Sequence, residues 1–149
     1  GEVKNLKKIS KQILSSREKR DINTTSDLVE LLKPIMPFRY QNKFLAQIFQ
    51  AIRIEVNNEI EVLKSFLEQA TKSLKTGGRI VCISYHSLED RCVKRYIQFG
   101  NFEGKDEKDF YGNSLRVLRK VGRVVMPSEK EIKINKRARS AKMRIAEKI

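Results

Sequence analysis

One continuously apolar segment, Ile80-Val81-Cys82-Ile83, stands between two helical patterns, and it restricts the fold more than any other feature of the chain. The periodicity before it ends in Lys75-Thr76-Gly77-Gly78, which supplies the glycine that a helix C-terminus prefers. After it, Ser84-Tyr85-His86-Ser87-Leu88-Glu89-Asp90-Arg91 opens a further helix, reaching about Gln98, with Leu88, Val93 and Ile97 on one side. A helix, a Gly-Gly turn, a buried strand over Arg79–Ser84 and another helix make half of a βαβ unit, so the fold class is α/β.

The polar run at the end of that strand is the best candidate site. Side chains at the C-terminal end of a strand in an open α/β sheet face the crevice where such folds bind ligands. This run also carries the only histidine, His86. Ser87-Leu88-Glu89-Asp90 fits a capping box, with Ser87 as N-cap and Asp90 at the third position, and that assignment leaves the imidazole without a structural task. A Ser-His-acid hydrolytic triad is opposed by adjacency, since neighbouring side chains rarely point at one another, and by the lack of nucleophile-elbow glycines around Ser87.

The flanking sequence is helical on one side and mixed on the other. Val3, Leu6, Ile9 and Ile13 predict an amphipathic helix over residues 3–16, and Thr24-Thr25-Ser26 can cap a second one through Leu32, which Pro34 and Pro37 then close. Residues 1–43 therefore read as a small helical module, and residues 44–149 as the α/β part. Leu45, Ile48, Ile52, Val56, Ile60, Leu63, Leu67, Ala70 and Leu74 recur at helical spacing and predict one long helix, or two with a bend. Gln50, Arg53 and Asn57 form a polar stripe beside that apolar face, suited to phosphates or base edges or to ordinary ion pairs in solvent. Residues 99–115 predict a long loop, Val121–Met126 a strand, Pro127–Glu131 the start of a helical turn and Ala141–Ala146 a last strand.

Charge narrows the partners. The chain carries +14, with 32 Lys and Arg against 18 Asp and Glu. Residues 112–149 hold twelve basic and three acidic side chains, residues 1–43 ten and five, and the middle is balanced. Such terminal asymmetry points to RNA, DNA or a ribosomal surface. Lys136-Arg137-Ala138-Arg139-Ser140-Ala141-Lys142-Met143-Arg144 is the densest basic run. Cys82 and Cys92 have no metal-ligand spacing, so no metal is expected, and a reducing cytoplasmic setting is the simplest. No apolar run approaches the ~18 residues of a membrane span. There is no G-x-G-x-x-G and no P-loop, and Gly77-Gly78 lies on the wrong side of the strand to cradle phosphates.

Several of these stretches together resemble the bacterial 16S rRNA cytidine N4-methyltransferase family. Ile48-Phe49-Gln50-Ala51-Ile52-Arg53-Ile54-Glu55-Val56-Asn57 is similar to that family's F-Q-A-L-R-I-x-V-N helix. Gly77–Arg91 is similar to its G-G-R-L-V-V-I-S-[FY]-H-S-L-E-D-R, and Pro127–Ile132 and Arg137–Lys142 continue the likeness in order. Lys43-Phe44-Leu45-Ala46-Gln47-Ile48 departs from the family's polar H-P-A-T-R-T, so no substrate contact carries over to that segment.

The resemblance implies the latter half of a Rossmann-like S-adenosylmethionine-dependent methyltransferase domain, strands five to seven of its sheet, with the N-terminal helices as the family's helical insertion. It implies a methyl transfer from S-adenosylmethionine to N4 of a cytidine, with 16S rRNA or the small ribosomal subunit as partner. It further implies that this chain is a fragment, inactive alone because the glycine-rich cofactor loop belongs to the other half. The substrate-side residues it suggests are Arg53, Asn57, His86, Ser87, Arg139, Ser140 and Lys142, with the catalytic residues unassigned. Apolar surface left where missing strands would pack leaves a homodimer open. A non-enzymatic basic RNA-binding module is the alternative.

Overall fold

The computed structural model describes Val3 and residues 5–149. The prediction for Lys4, within the first helix, lies outside the described residues. The chain forms two compact units, residues 1–57 and 58–149.

The first unit is helical. Helix α1 spans Leu6–Arg17, α2 spans Thr25–Leu32 and α3 spans Gln41–Val56. Thr24 begins α2 with a capping box: its hydroxyl accepts the Asp27 N–H at 3.1 Å, and the Asp27 carboxylate accepts the Thr24 N–H at 2.8 Å. These bonds hold the Asp27 carboxyl below its ordinary value. A 3₁₀ turn over Lys33–Ile35 carries Pro34 and ends the helical run. Val3, Ile9, Leu28, Leu31, Leu32 and Ile48 form the core of this unit. The unit therefore includes α3, one helix beyond the boundary expected at residue 43.

The long apolar periodicity resolves into two helices, α3 and α4 (Glu59–Ser73), separated by Asn57 and Asn58. Asn58 takes the left-handed conformation, φ 52 and ψ 35, which Asn tolerates better than most residues.

The second unit builds a three-stranded sheet. Strand β1 is Arg79–Ser84, helix α5 is Ser87–Phe99, β2 is Leu118–Val125, helix α6 is Glu129–Ile134 and β3 is Lys142–Lys148. The order is β1-β3-β2, with both pairings antiparallel. Strands β1 and β2 are thus parallel to each other, joined through α5, with β3 inserted between them. Leu67, Ile80, Cys92, Val93, Tyr96, Ile97, Leu118 and Ala146 form the core between the helices and one sheet face. Gly77, at φ 80, turns the chain from α4 into β1, where its N–H bonds the Lys148 carbonyl at 2.8 Å.

The sheet is covered on one side only among the described residues, which corrects the prediction of a buried β1. Ile80 points into the core, while Val81 and Ile83 on the opposite face are each 56% exposed. A continuous apolar sequence cannot tell one-sided from two-sided burial, because the covering layer is a tertiary feature. On the far face the register places Glu147 between Arg79 and Arg119, and its carboxylate bonds Arg79 Nε at 3.0 Å and Arg119 Nη2 at 2.5 Å. Between α5 and β2 the chain from Gly100 to Val117 forms neither helix nor strand, as expected. Its start is pinned by Phe102, stacked on Tyr96 with ring centroids 4.9 Å apart.

Candidate functional site

The end of β1, the start of α5 and the start of β3 meet at one edge of the sheet, because the register sets Ser84 opposite Lys142. His86, not Ser87, is the N-cap of α5. Its Nδ1 accepts the Glu89 N–H at 3.4 Å, and Glu89 Oε2 accepts the N–H of Tyr85 at 2.9 Å and of His86 at 3.4 Å. The capping box is shifted by one residue from the predicted Ser87–Asp90 frame, and Ser87 becomes the first helical residue. Both frames satisfy the same spacing; only the backbone at His86, extended at φ −138 and ψ 163, selects one.

This shift gives the histidine a structural task and fixes its proton. Since Nδ1 accepts a backbone N–H, the neutral imidazole carries its hydrogen on Nε2. Nε2 is buried and lies 3.0 Å from Glu89 Oε1, yet it makes no aligned hydrogen bond, so the contact is one of proximity and charge. Glu59 joins these two residues: one ligand-type atom from each of Glu59, His86 and Glu89 lies within 4.8 Å of the others. The expectation of no metal site therefore meets one geometrically eligible cluster. Its chemistry suits a proton better than a cation, because the Nε2 lone pair is protonated while the cap is made. The arrangement holds one buried N–H donor between two carboxylates.

Asp90 does not cap. It is buried, and it grips Arg144 of β3 through two parallel bonds, Nε to Oδ1 at 2.7 Å and Nη2 to Oδ2 at 3.0 Å, with Lys142 Nζ 3.4 Å from Oδ2. Burial pushes the Asp90 carboxyl up, but the Arg144 bonds and the charges of Arg144 and Lys142 outweigh it, and the net shift is downward. Lys142, predicted as an RNA contact, is thus partly committed inside the protein. This clamp spans 54 residues of sequence and left no local signal beyond an acid in a helix and an arginine in a strand.

Arg139 and Ser140 are exposed in a 3₁₀ turn, Lys136–Ser140, which delivers the chain into β3 beside the His86 edge. Asn135 opens that turn by accepting the Arg137 N–H at 3.1 Å. The predicted strand entry is therefore a turn, anchored by buried Ala138. Arg53 and Asn57 are exposed one turn apart at the end of α3, in the first unit, with the Asn57 N–H donating to the Arg53 carbonyl at 3.0 Å. In the second unit the register sets Lys142 opposite Ser84, which precedes His86 and Ser87, with Arg139 and Ser140 in the turn before Lys142. Cys82 and Cys92 have their thiols pushed up by burial, which disfavours a thiolate nucleophile. No helix among the described residues is long and apolar enough to cross a membrane.

The family model of the MraW methylase family matches residues 1–149. The chain belongs to this family. It is similar to proteins named ribosomal RNA small subunit methyltransferase H. The relative from Flavobacterium johnsoniae is 56% identical over 100% of this chain and 49% of its own length. The relative from Christiangramia forsetii is 55% identical over 99% and 49%, and that from Cytophaga hutchinsonii 49% identical over 99% and 50%. The chain spans about half the length of the curated relatives it matches, the C-terminal half. As an MraW-family methylase sequence, it carries the capped His86 and the Asp90–Arg144 clamp within a fully matched stretch.

Proposed function

We propose that this protein acts as a small-subunit rRNA methyltransferase, transferring a methyl group from S-adenosylmethionine to N4 of a cytidine in the cytoplasm. What supports the reading is that strand register sets Ser84, just before His86 and Ser87, opposite Lys142, just after the basic turn, in a chain matched over its whole length by a methylase family. The chain's latter part is read as part of a Rossmann-like domain and its N-terminal helices as an insertion in that domain. The shared direction of β1 and β2, with His86 and Ser87 just beyond the C-terminal end of β1, supports this assignment.

The described residues do not fit S-adenosylmethionine. Glu89 is engaged by the cap and Asp90 by Arg144, and the Gly77-Gly78 turn lies at the opposite end of β1 from His86. The chain alone is therefore expected to be inactive. Its own contribution lies on the acceptor side. Arg139, Ser140 and Lys142 contact RNA phosphates, as do Arg53 and Asn57 from α3, while Ser87 and the partly exposed ring of His86 line the place of the cytidine held out of its stack.

Methyl incorporation into small-subunit rRNA tests the reading. In a full-length enzyme, His86→Asn retains a side-chain acceptor for the cap but removes the imidazole, so a loss of turnover with unchanged stability is expected. Turnover equal to that of the unaltered enzyme refutes the role. An RNA-binding module without catalysis is the second reading, favoured by the +14 charge of a chain that does not fit the donor. Calorimetry with S-adenosylmethionine addresses the fit directly: no heat of binding is expected, and micromolar affinity contradicts it.

A further inference from the structure

Between α5 and the β2 side of the sheet lies a cavity of about 300 Å³, away from the His86 edge in its lining residues. Lys94 and Gln98 of α5, Arg116 just before β2, Lys120 and Arg123 of β2, and Arg144 of β3 all line it. No carboxylate does. Among the described residues, Lys94, Arg116, Lys120 and Arg123 have no carboxylate within ion-pair distance, whereas Lys33, Lys64, Arg79 and Arg119 each have one. Arg144 uses Nε and Nη2 on Asp90, which fixes the plane of its guanidinium and leaves Nη1 without a protein acceptor.

The backbone explains how the cations come to converge. Lys120 stands opposite buried Ala146, on the same sheet face as the core, and is itself exposed. The ladder between β2 and β3 is then interrupted between Val121 and Val125, with Gly122 at φ 68, and Arg123 sits within that irregularity. A bulge of this kind re-aims side chains and recurs beside binding sites. Like charges gathered in a concavity repel one another unless an anion joins them, and low-dielectric walls focus their field. Arginine forks match the tetrahedral oxygens of a phosphodiester.

We propose that this cavity is a docking site for neighbouring backbone phosphates of single-stranded RNA, separate from the residues assigned to the cytidine. The proposal rests on the rRNA reading for its choice of RNA as the anion. The site positions the strand without reading its bases, since its five cations suit phosphate oxygens.

The test compares two triple variants of this chain by fluorescence anisotropy with a labelled single-stranded RNA at several salt concentrations. Arg116→Gln/Lys120→Gln/Arg123→Gln removes three cavity cations that the protein does not use internally. Lys72→Gln/Lys75→Gln/Lys108→Gln removes the same charge from exposed sites elsewhere in the unit. The cavity variant should flatten the salt dependence by about 2 in logarithmic slope and weaken binding about 100-fold near 0.1 M salt, equally for unrelated sequences. The second variant should lose less than about 5-fold on the same scale. Equal losses in the two variants overturn the proposal, because they mean a diffuse field, and so does an absence of RNA binding by the unaltered chain. Methyl incorporation into rRNA by a full-length enzyme is scored separately. If none is found but the cavity variant still loses RNA affinity, the methyltransferase reading falls and the docking site stands.

Discussion

Removing the Asp90 carboxylate should unlatch α5 from β3. The Asp90 and Arg144 side chains are 11% and 16% exposed, and their two bonds measure 2.7 and 3.0 Å, so Asp90→Ala leaves a nearly buried guanidinium without its partner. Breaking a buried pair in this way costs about 3–5 kcal/mol, and the residual exposure of Arg144 at the basic cavity argues for the lower end, about 3 kcal/mol. With a urea dependence of about 1.2 kcal/mol per molar for a unit of this size, the midpoint should fall by about 2.5 M. Arg144→Ala should cost a similar amount, and the double variant should cost little more than either single one, a coupling of about 2 kcal/mol. The acid limb adds a check with a defined sign. The folded Asp90 carboxyl lies below its ordinary value of 3.8, so its contribution is complete above that pH and is lost as the pH falls through the lower folded value. The gap between the unaltered chain and Asp90→Asn should persist from neutrality to about pH 4 and close below it. Single losses under about 1 kcal/mol, or additive losses in the double variant, would refute a clamp.

Three further outcomes follow from the packing. His86→Ala deletes the acceptor of the Glu89 N–H, a long cap bond worth about 0.5–1 kcal/mol, or roughly 3–6 °C in thermal unfolding, whereas His86→Asn should restore most of it. Gly100→Ala puts a Cβ 3.1 Å from the Arg116 Cα at φ 76 and should lower stability by about 1–2 kcal/mol in chemical denaturation; a neutral result would show that the loop gives way freely. Leu118→Ala empties a fully buried position between α5 and the sheet and should cost about 3 kcal/mol, with hydrogen exchange faster in both elements.

The cap at His86 shows what local sequence can and cannot do. Ser87-x-x-Asp90 and His86-x-x-Glu89 overlap by one residue, and propensity favours the hydroxyl. Asp90 could not serve in the box because Arg144 and Lys142 hold it, and those residues arrive from more than fifty positions away. The break at Asn57 and Asn58 was similarly open: periodicity ran straight through it, and a left-handed Asn58 ended one helix and began another.

The sequence by itself determined where the helices and strands lie, since periods of 3.6 and 2 and the punctuation by Gly, Pro and capping hydroxyls are written in consecutive residues. It also marked Ser84–Arg91 and the basic run as the chemically distinctive segments. Only the tertiary structure decided the order β1-β3-β2, the one-sided cover of the sheet, the Asp90 clamp and the unpaired cations around one cavity. Each depends on which distant side chains share a face, and that is set by strand register and by the burial of the core, to which local patterning is blind.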